Sequence, residues 1–239
     1  MASPNGCITA SIFHFSNKLI QMNTELLINR TVDFVKEKLA NAEGGHDWWH
    51  IHRVWKSAKT IAEQEAGANL LLVELSALLH DIADSKFHGG DDSVGPRIAG
   101  EFLASQSVDP AIIQEVQLII SHISFKGGHT KGNYHSLELS IVQDADRLDA
   151  IGAIGIARAF NYGGFKNRPL YDPAQPPNLQ KTVEQYKFNN DPTINHFYEK
   201  LFLLKDRMNT ATGRAMAEQR HAFMEAYIEQ FYAEWEGHR

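Results

Sequence analysis

Residues 70–84 read LLLVELSALLHDIAD, and the fold turns on how this stretch is read. Its apolar run predicts a helix from Leu70 to about Ala83. Within that helix His80 and Asp81 are out of place. A histidine beside two leucines is commonly no more than a hydrogen-bonded interior residue. A carboxylate next to it is different, because an unpaired charge in an apolar helix is costly to bury, and a cation or a well-made polar network is required. Adjacent helical residues point about 100° apart, so His80 and Asp81 reach one ion only near an exposed or distorted helical end. Ala83-Asp84-Ser85 supplies such an end.

Working outward, helical signals continue on both sides. Leu26, Leu27, Val32, Phe34, Val35 and Leu39 recur at three-to-four spacing and predict a first helix from Thr24 to the turn signal Gly44-Gly45. A second runs from about Trp48 to Ala66. Downstream, a fourth is expected from Asp91, as N-cap, through Ser105, and a fifth opens on Asp109-Pro110 and runs to about His122. Residues 125–134 form a Gly-rich loop. Leu137 to Asp149 and Ala150 to Phe160 continue as apolar helical stretches, with Gly152 and Gly155 permitting close backbone approach. Residues 161–178 hold Gly163-Gly164, Pro169, Pro173 and Pro176-Pro177, which favour an irregular loop that would serve as a lid. Thr193 to Lys205 and Gly213 to Glu236 are then helical, the latter with a packing stripe of Phe223, Tyr227, Phe231 and Trp235.

Period-two alternation and hairpin dipeptides are scarce, so the fold class expected is all-α. The chain is read as a loosely ordered leader, 1–23, followed by one bundle-like domain, 24–239. Its chemistry-bearing motifs lie in 45–160, its irregular loop in 161–178 and its last helices in 179–239. Whether residues 1–21 belong to the natural protein is left open by the sequence.

Composition narrows the function. A net charge of −6 with no long basic run argues against extended nucleic-acid binding, although a small anion can still be held locally. The lone Cys7 excludes an internal disulfide framework and a multi-cysteine metal site. No run approaches the roughly 18 apolar residues of a membrane span, and a cytoplasmic location is expected. Histidine, by contrast, is abundant at 12 residues.

Four of the polar residues suggest a metal centre: His50 in HDWWHIHRV (46–54), His80 and Asp81, and Asp146 in QDADRLD (143–149). Imidazole with carboxylate suits a divalent transition metal, whereas oxygen alone would favour Mg or Ca. Asp144, Asp146 and Asp149 lie in an otherwise apolar stretch, so the same burial cost applies to them. The pair His46 and His50 resembles the spacing of His-Glu-x-x-His proteases, but Asp47 replaces the glutamate base and is one methylene short. Asp84, three residues after Asp81, shares its helical face and is placed to accept a proton from a metal-bound water. Arg53, Lys86 and Arg147 are close in sequence to the proposed ion and are candidate phosphate partners, as is His122 at the end of its helix. The arginines equally suit ordinary ion pairs, Arg147 with Asp144 or Asp149 above all. His88, His129 and His135 sit in Gly-rich loops, the latter two read as solvated.

The order His…His-Asp…Asp resembles the HD-domain superfamily of metal-dependent phosphohydrolases. The resemblance covers about 45–160 and implies an all-α fold with the metal held by His50, His80, Asp81 and Asp146. An acid at the place of Asp84 resembles one assigned the proton-accepting role in related enzymes. The fuller wording of the motifs is similar to a small bacterial subgroup in which nucleotide pyrophosphohydrolase activity occurs. The implied cofactor is Mn, Co, Fe, Ni or Zn, with Mg permitted, and the implied partner is a small phosphate-containing substrate such as a nucleotide. The expected reaction is nucleoside triphosphate hydrolysis to monophosphate and pyrophosphate. A phosphomonoesterase, a cyclic-nucleotide or alarmone hydrolase and a non-catalytic nucleotide-binding module remain as alternatives. Oligomeric state is left open, a homodimer included.

Overall fold

The computed structural model describes residues 5–40, 47–83, 91–123, 134–179 and 190–238, with side chains from Met22 onward. The described residues are helical, with no strand among them: α1 (Asn5–Lys38), α2 (Trp48–Ala62), α3 (Leu70–Leu79), α4 (Val94–Ser105), α5 (Pro110–Ile123), α6 (Leu137–Asp149), α7 (Gly152–Phe165), α8 (Asn195–Glu199) and α9 (Ala211–Trp235). Two 3₁₀ turns, Leu201–Leu203 and Lys205–Arg207, link α8 to α9. The all-α expectation is met. No helix among the described residues is long and apolar enough to cross a membrane.

Packing follows from the distribution of apolar residues. Every residue of α3 from Leu72 to Leu79 is buried, because the helix is apolar save for Ser76 and for Glu74, which is paired with Trp55 and Lys59, and it lies against α1, α2, α5 and α6. Helix α2 instead buries one stripe, Ile51, Val54, Ala58 and Ile61, at the three-to-four spacing of an amphipathic helix, and sets it on α3 and α6. Helix α6 buries Leu139, Ile141, Val142, Ala145 and Leu148 and is held from the other side by α9. Three helices that carry the motif residues are therefore packed on one another.

Several ends differ from the periodicity. Helix α1 begins at Asn5, not Thr24, because no Gly or Pro interrupts the chain between Gly6 and Gly44. Helix α3 stops at Leu79, so His80 and Asp81 occupy the turn after it. There His80 Nδ1 lies 2.8 Å from the Ala77 carbonyl, a last-turn acceptor that a continuing helix would have used. Helix α4 opens at Val94; Asp91 accepts from the Ser93 backbone and hydroxyl at 2.9 and 2.7 Å instead of capping the helix itself. Helix α7 runs through Gly163-Gly164 to Phe165, which moves the start of the irregular segment from 161 to 166. The helix expected over Thr193–Lys205 is five residues of α-helix and two 3₁₀ turns.

Between α6 and α7 the chain reverses at Gly152, whose φ of +75° favours glycine. A methyl group on Gly155 would lie 2.2 Å from the Ala150 carbonyl oxygen. Gly155→Ala is expected to destabilise the protein by about 1–3 kcal/mol, the usual cost of overpacking, measured by urea unfolding. A change below about 0.3 kcal/mol would show that this junction relaxes freely.

Candidate metal centre

Helices α2, α3 and α6 each deliver one side chain to a common point. Asp47 caps α2, its carboxylate accepting from the His50 backbone at 3.0 Å, which fixes the first turn that carries His50. Helix α3 ends one residue before His80, and Asp146 lies on the third turn of α6, a helix capped by Ser136 through the Leu139 N–H at 3.0 Å. Ligand atoms of His50, His80 and Asp146 all lie within 4.8 Å of one another. Asp146 Oδ1 is 3.5 Å from His50 Nε2 and 4.0 Å from His80 Nε2. Atoms bound to one ion at about 2.1 Å sit roughly 3–3.5 Å apart, so the set needs little adjustment to take a metal.

The second nitrogen of each imidazole tells why the first points inward. A carbonyl oxygen only accepts, so His80 Nδ1 donates to Ala77 and leaves the Nε2 lone pair facing Asp146. His50 Nδ1 lies 2.8 Å from Asp149 Oδ2, again leaving Nε2 towards Asp146. One imidazole thus spans two acids a helical turn apart on α6. Both histidine side chains are buried, at 3% and 4% exposure, whereas Asp146 is 42% exposed. The cluster is closed on the protein side and open on one face, as a site must be that keeps coordination positions for water or substrate.

Asp149 is buried at 3% exposure and is surrounded by cations. Arg53 Nε and Nη2 donate to its two oxygens at 2.6 and 3.0 Å, and Arg158 donates to its Oδ2 and, at 3.2 Å, to its backbone carbonyl. Burial by itself would raise the carboxyl pKa. Hydrogen bonds from His50 and Arg53 and the charge of Arg158 overcome that and hold it well below the usual carboxylate range. The same bond holds the Arg53 guanidinium above its ordinary value.

The other candidates are placed differently. Asp81 follows His80 in the turn, partly buried, but is not among the three residues whose ligand atoms converge. Asp84 and Lys86, with His88 and His129, lie outside the described residues. Arg147 turns away from the cluster: Nη1 bonds the Arg207 carbonyl at 2.8 Å and Asp144 at 3.3 Å. Of the two acids considered for it, Asp144 is its partner. His122 Nδ1 lies 2.8 Å from the Leu118 carbonyl, its own carbonyl accepts from Gln143 at 3.0 Å, and its ring is 5.4 Å from that of Tyr134.

Sequence reasoning did not single out Asp149 as the partner of His50, nor Arg158 at all. Arg158 stands alone among apolar and small residues of α7, and that isolation was the available signal.

An all-α core that gathers two histidines and an aspartate from three packed helices defines a class. The HD domain profile matches residues 48–151, and the chain belongs to the HD-domain family. It is 38% identical over 200 residues to the protein YpgQ of Bacillus subtilis (strain 168), a match that spans 82% of this chain and 88% of that one. A crystal structure of an HD-superfamily hydrolase from Bacillus thuringiensis superposes with a TM-score of 0.73 at 42% identity, covering 90% of this chain and 99% of that one. The crystal structure of B. subtilis YpgQ in complex with ADP gives 0.70 at 35%, covering 89% and 96%.

Proposed function

We propose that this protein is a divalent-metal-dependent phosphohydrolase that cleaves a nucleoside triphosphate to monophosphate and pyrophosphate. The observation that carries the reading is the convergence of His50 Nε2, His80 Nε2 and an Asp146 oxygen at a buried point with one open side. The ADP complex of YpgQ supports a nucleotide as the ligand class. His50, His80, Asp146 and, from the adjoining turn, Asp81 would hold the ion. Mn, Co, Fe, Ni and Zn suit this nitrogen and oxygen set, and Mg is permitted. When bound, the metal supplies a polarised phosphoryl oxygen and a water acidified towards neutrality.

The chain's own residues do the rest. Asp84 accepts the proton of the attacking water. Arg53, whose guanidinium is oriented by Asp149 one turn beyond His50, faces the phosphates together with Lys86. His122, in the last turn of α5, extends the binding surface, whereas Arg147 is held by Asp144 and the Arg207 carbonyl. The lone Cys7 lies far from these motifs in the sequence, so a covalent cysteine intermediate is not part of the scheme.

The test is a nucleotide panel assayed with Mn, Co and Mg, with Asp81→Ala in parallel. Metal-dependent turnover that releases pyrophosphate and is lost in the variant is expected. Turnover that needs no metal, or that is equal in both proteins, would overturn the proposal. Release of orthophosphate from nucleoside monophosphates, with no pyrophosphate from the triphosphates, would make the protein a phosphomonoesterase instead.

A further inference from the structure

We infer that Asp149 is a positioning residue for the metal centre: it holds His50 as the Nδ1–H tautomer, so that Nε2 is presented to the cation, and Arg53 and Arg158 hold Asp149 in turn. The inference rests on the metal reading above. It starts from the geometry of the buried carboxylate, which touches a ligand but is itself turned away from the point where the ligands meet.

His50 could in principle carry its proton on either nitrogen, and only the Nδ1–H form leaves Nε2 able to bind a metal. The 2.8 Å contact with Asp149 Oδ2 selects that form, because an ionised carboxylate can only accept. A carboxylate behind an imidazole also makes the ring a more basic ligand and locks its orientation. For that to work Asp149 must stay ionised and must not swing. Burial at 3% exposure opposes the charge, and the two arginines answer it. Arg53 grips both oxygens in a fork, and Arg158 binds one oxygen and the backbone carbonyl of the same residue. The three donors come from α2 and α7, while Asp149 ends α6, so the carboxylate is fixed by both flanking helices. Among the described residues, His80 has a neutral carbonyl behind it. The two histidines are thus supported unequally, and His50 is the one whose affinity depends on a charged partner.

The experiment compares wild type with Asp149→Asn in two readouts. The first is the ¹⁵N chemical shifts of the His50 ring in metal-free protein, followed over a pH series and read on the high-pH plateau where they no longer change. The second is Co(II) affinity by competition with a chelator. Wild type is expected to show a single Nδ1–H tautomer at His50. The variant is expected to show a mixture, and its Co(II) affinity should fall by about 10- to 100-fold with the far-UV circular dichroism unchanged. A variant that keeps both the tautomer and an affinity within about twofold overturns the inference. If Asp149→Asn does not fold, the wild-type spectrum decides: His50 found as Nε2–H, or as a mixture, overturns it. Wild-type protein that holds the Nδ1–H form but takes up no cobalt overturns the metal reading instead, and the tautomer comparison then decides the part played by Asp149.

Discussion

Replacing Asp146 by alanine is expected to lower metal-dependent nucleotide hydrolysis by on the order of a thousandfold or more while leaving the helical fold intact. The two halves of that expectation come from one fact. Asp146 is 42% exposed, so its carboxylate contributes little to packing, yet Oδ1 lies 3.5 and 4.0 Å from the two histidine Nε2 atoms. Removing it leaves the two imidazoles and Asp81, a set one ligand and one negative charge poorer that retains a catalytic divalent ion less well. The unfolding free energy should change by less than about 1 kcal/mol, as is usual for exposed positions. His50→Ala should be as inactive but less stable, because that ring is buried and its loss takes one hydrogen bond from the buried Asp149 carboxylate. Asp146→Ala with activity within about tenfold of wild type would remove this residue from the centre.

The second large effect is on stability and lies two residues earlier. Asp144→Ala is expected to destabilise the protein by about 3–5 kcal/mol, lowering the melting temperature by roughly 6–20 °C for a chain of this size. Residues two apart on a helix face about 200° away from each other, so Asp144 looks away from the metal centre and into the start of α9. It is fully buried and accepts from the backbone N–H groups of Asn209 and Thr210, from the Thr210 hydroxyl at 2.8 Å and from Arg147 at 3.3 Å. Thr210 is also the N-cap of α9, accepting from Gly213 N–H at 2.9 Å. Removing the carboxylate leaves Arg147, only 16% exposed, without its ion partner and strips donors from the cap. Asp144→Asn should cost less, because one amide oxygen still accepts. Urea unfolding of the two variants measures the difference, and a loss under about 1 kcal/mol for Asp144→Ala would show that the α6–α9 junction does not depend on this ion.

These two acids show what the sequence could and could not disclose. Burial cost alone required partners for the aspartates of this apolar helix, and Asp144 and Asp149 are buried and have them, whereas Asp146 is 42% exposed and owed nothing to burial. Which partner goes with which acid was not legible, because His50, Arg53, Asn209 and Thr210 are 65 to 99 residues away in the chain. Helices α5 and α6 were readable almost to their ends, since each carries a clear apolar stripe and a capping residue or a proline in the first turn, whereas α2 begins where expected but stops at Ala62, not Ala66. The end of α3 was not, because Ile82 and Ala83 prolong the apolar pattern beyond the place where His80 turns back onto Ala77. That early ending puts His80 and Asp81 beyond the last helical turn, the exception to the helical wheel that their adjacency in sequence demanded. Gly163-Gly164 misled in the other direction, since glycine lowers helix propensity but does not forbid a helix anchored by packing on α9.

Joint binding of one functional divalent metal by His50, His80 and Asp146 is open to measurement. Its most direct test is elemental analysis of protein loaded with Mn or Co and freed of excess ion, for wild type and for His50→Ala, His80→Ala and Asp146→Ala. At least one equivalent of metal per chain is expected in wild type, and its loss in each of the three variants. Wild-type protein that retains no metal, or variants that all retain it in full, would contradict it.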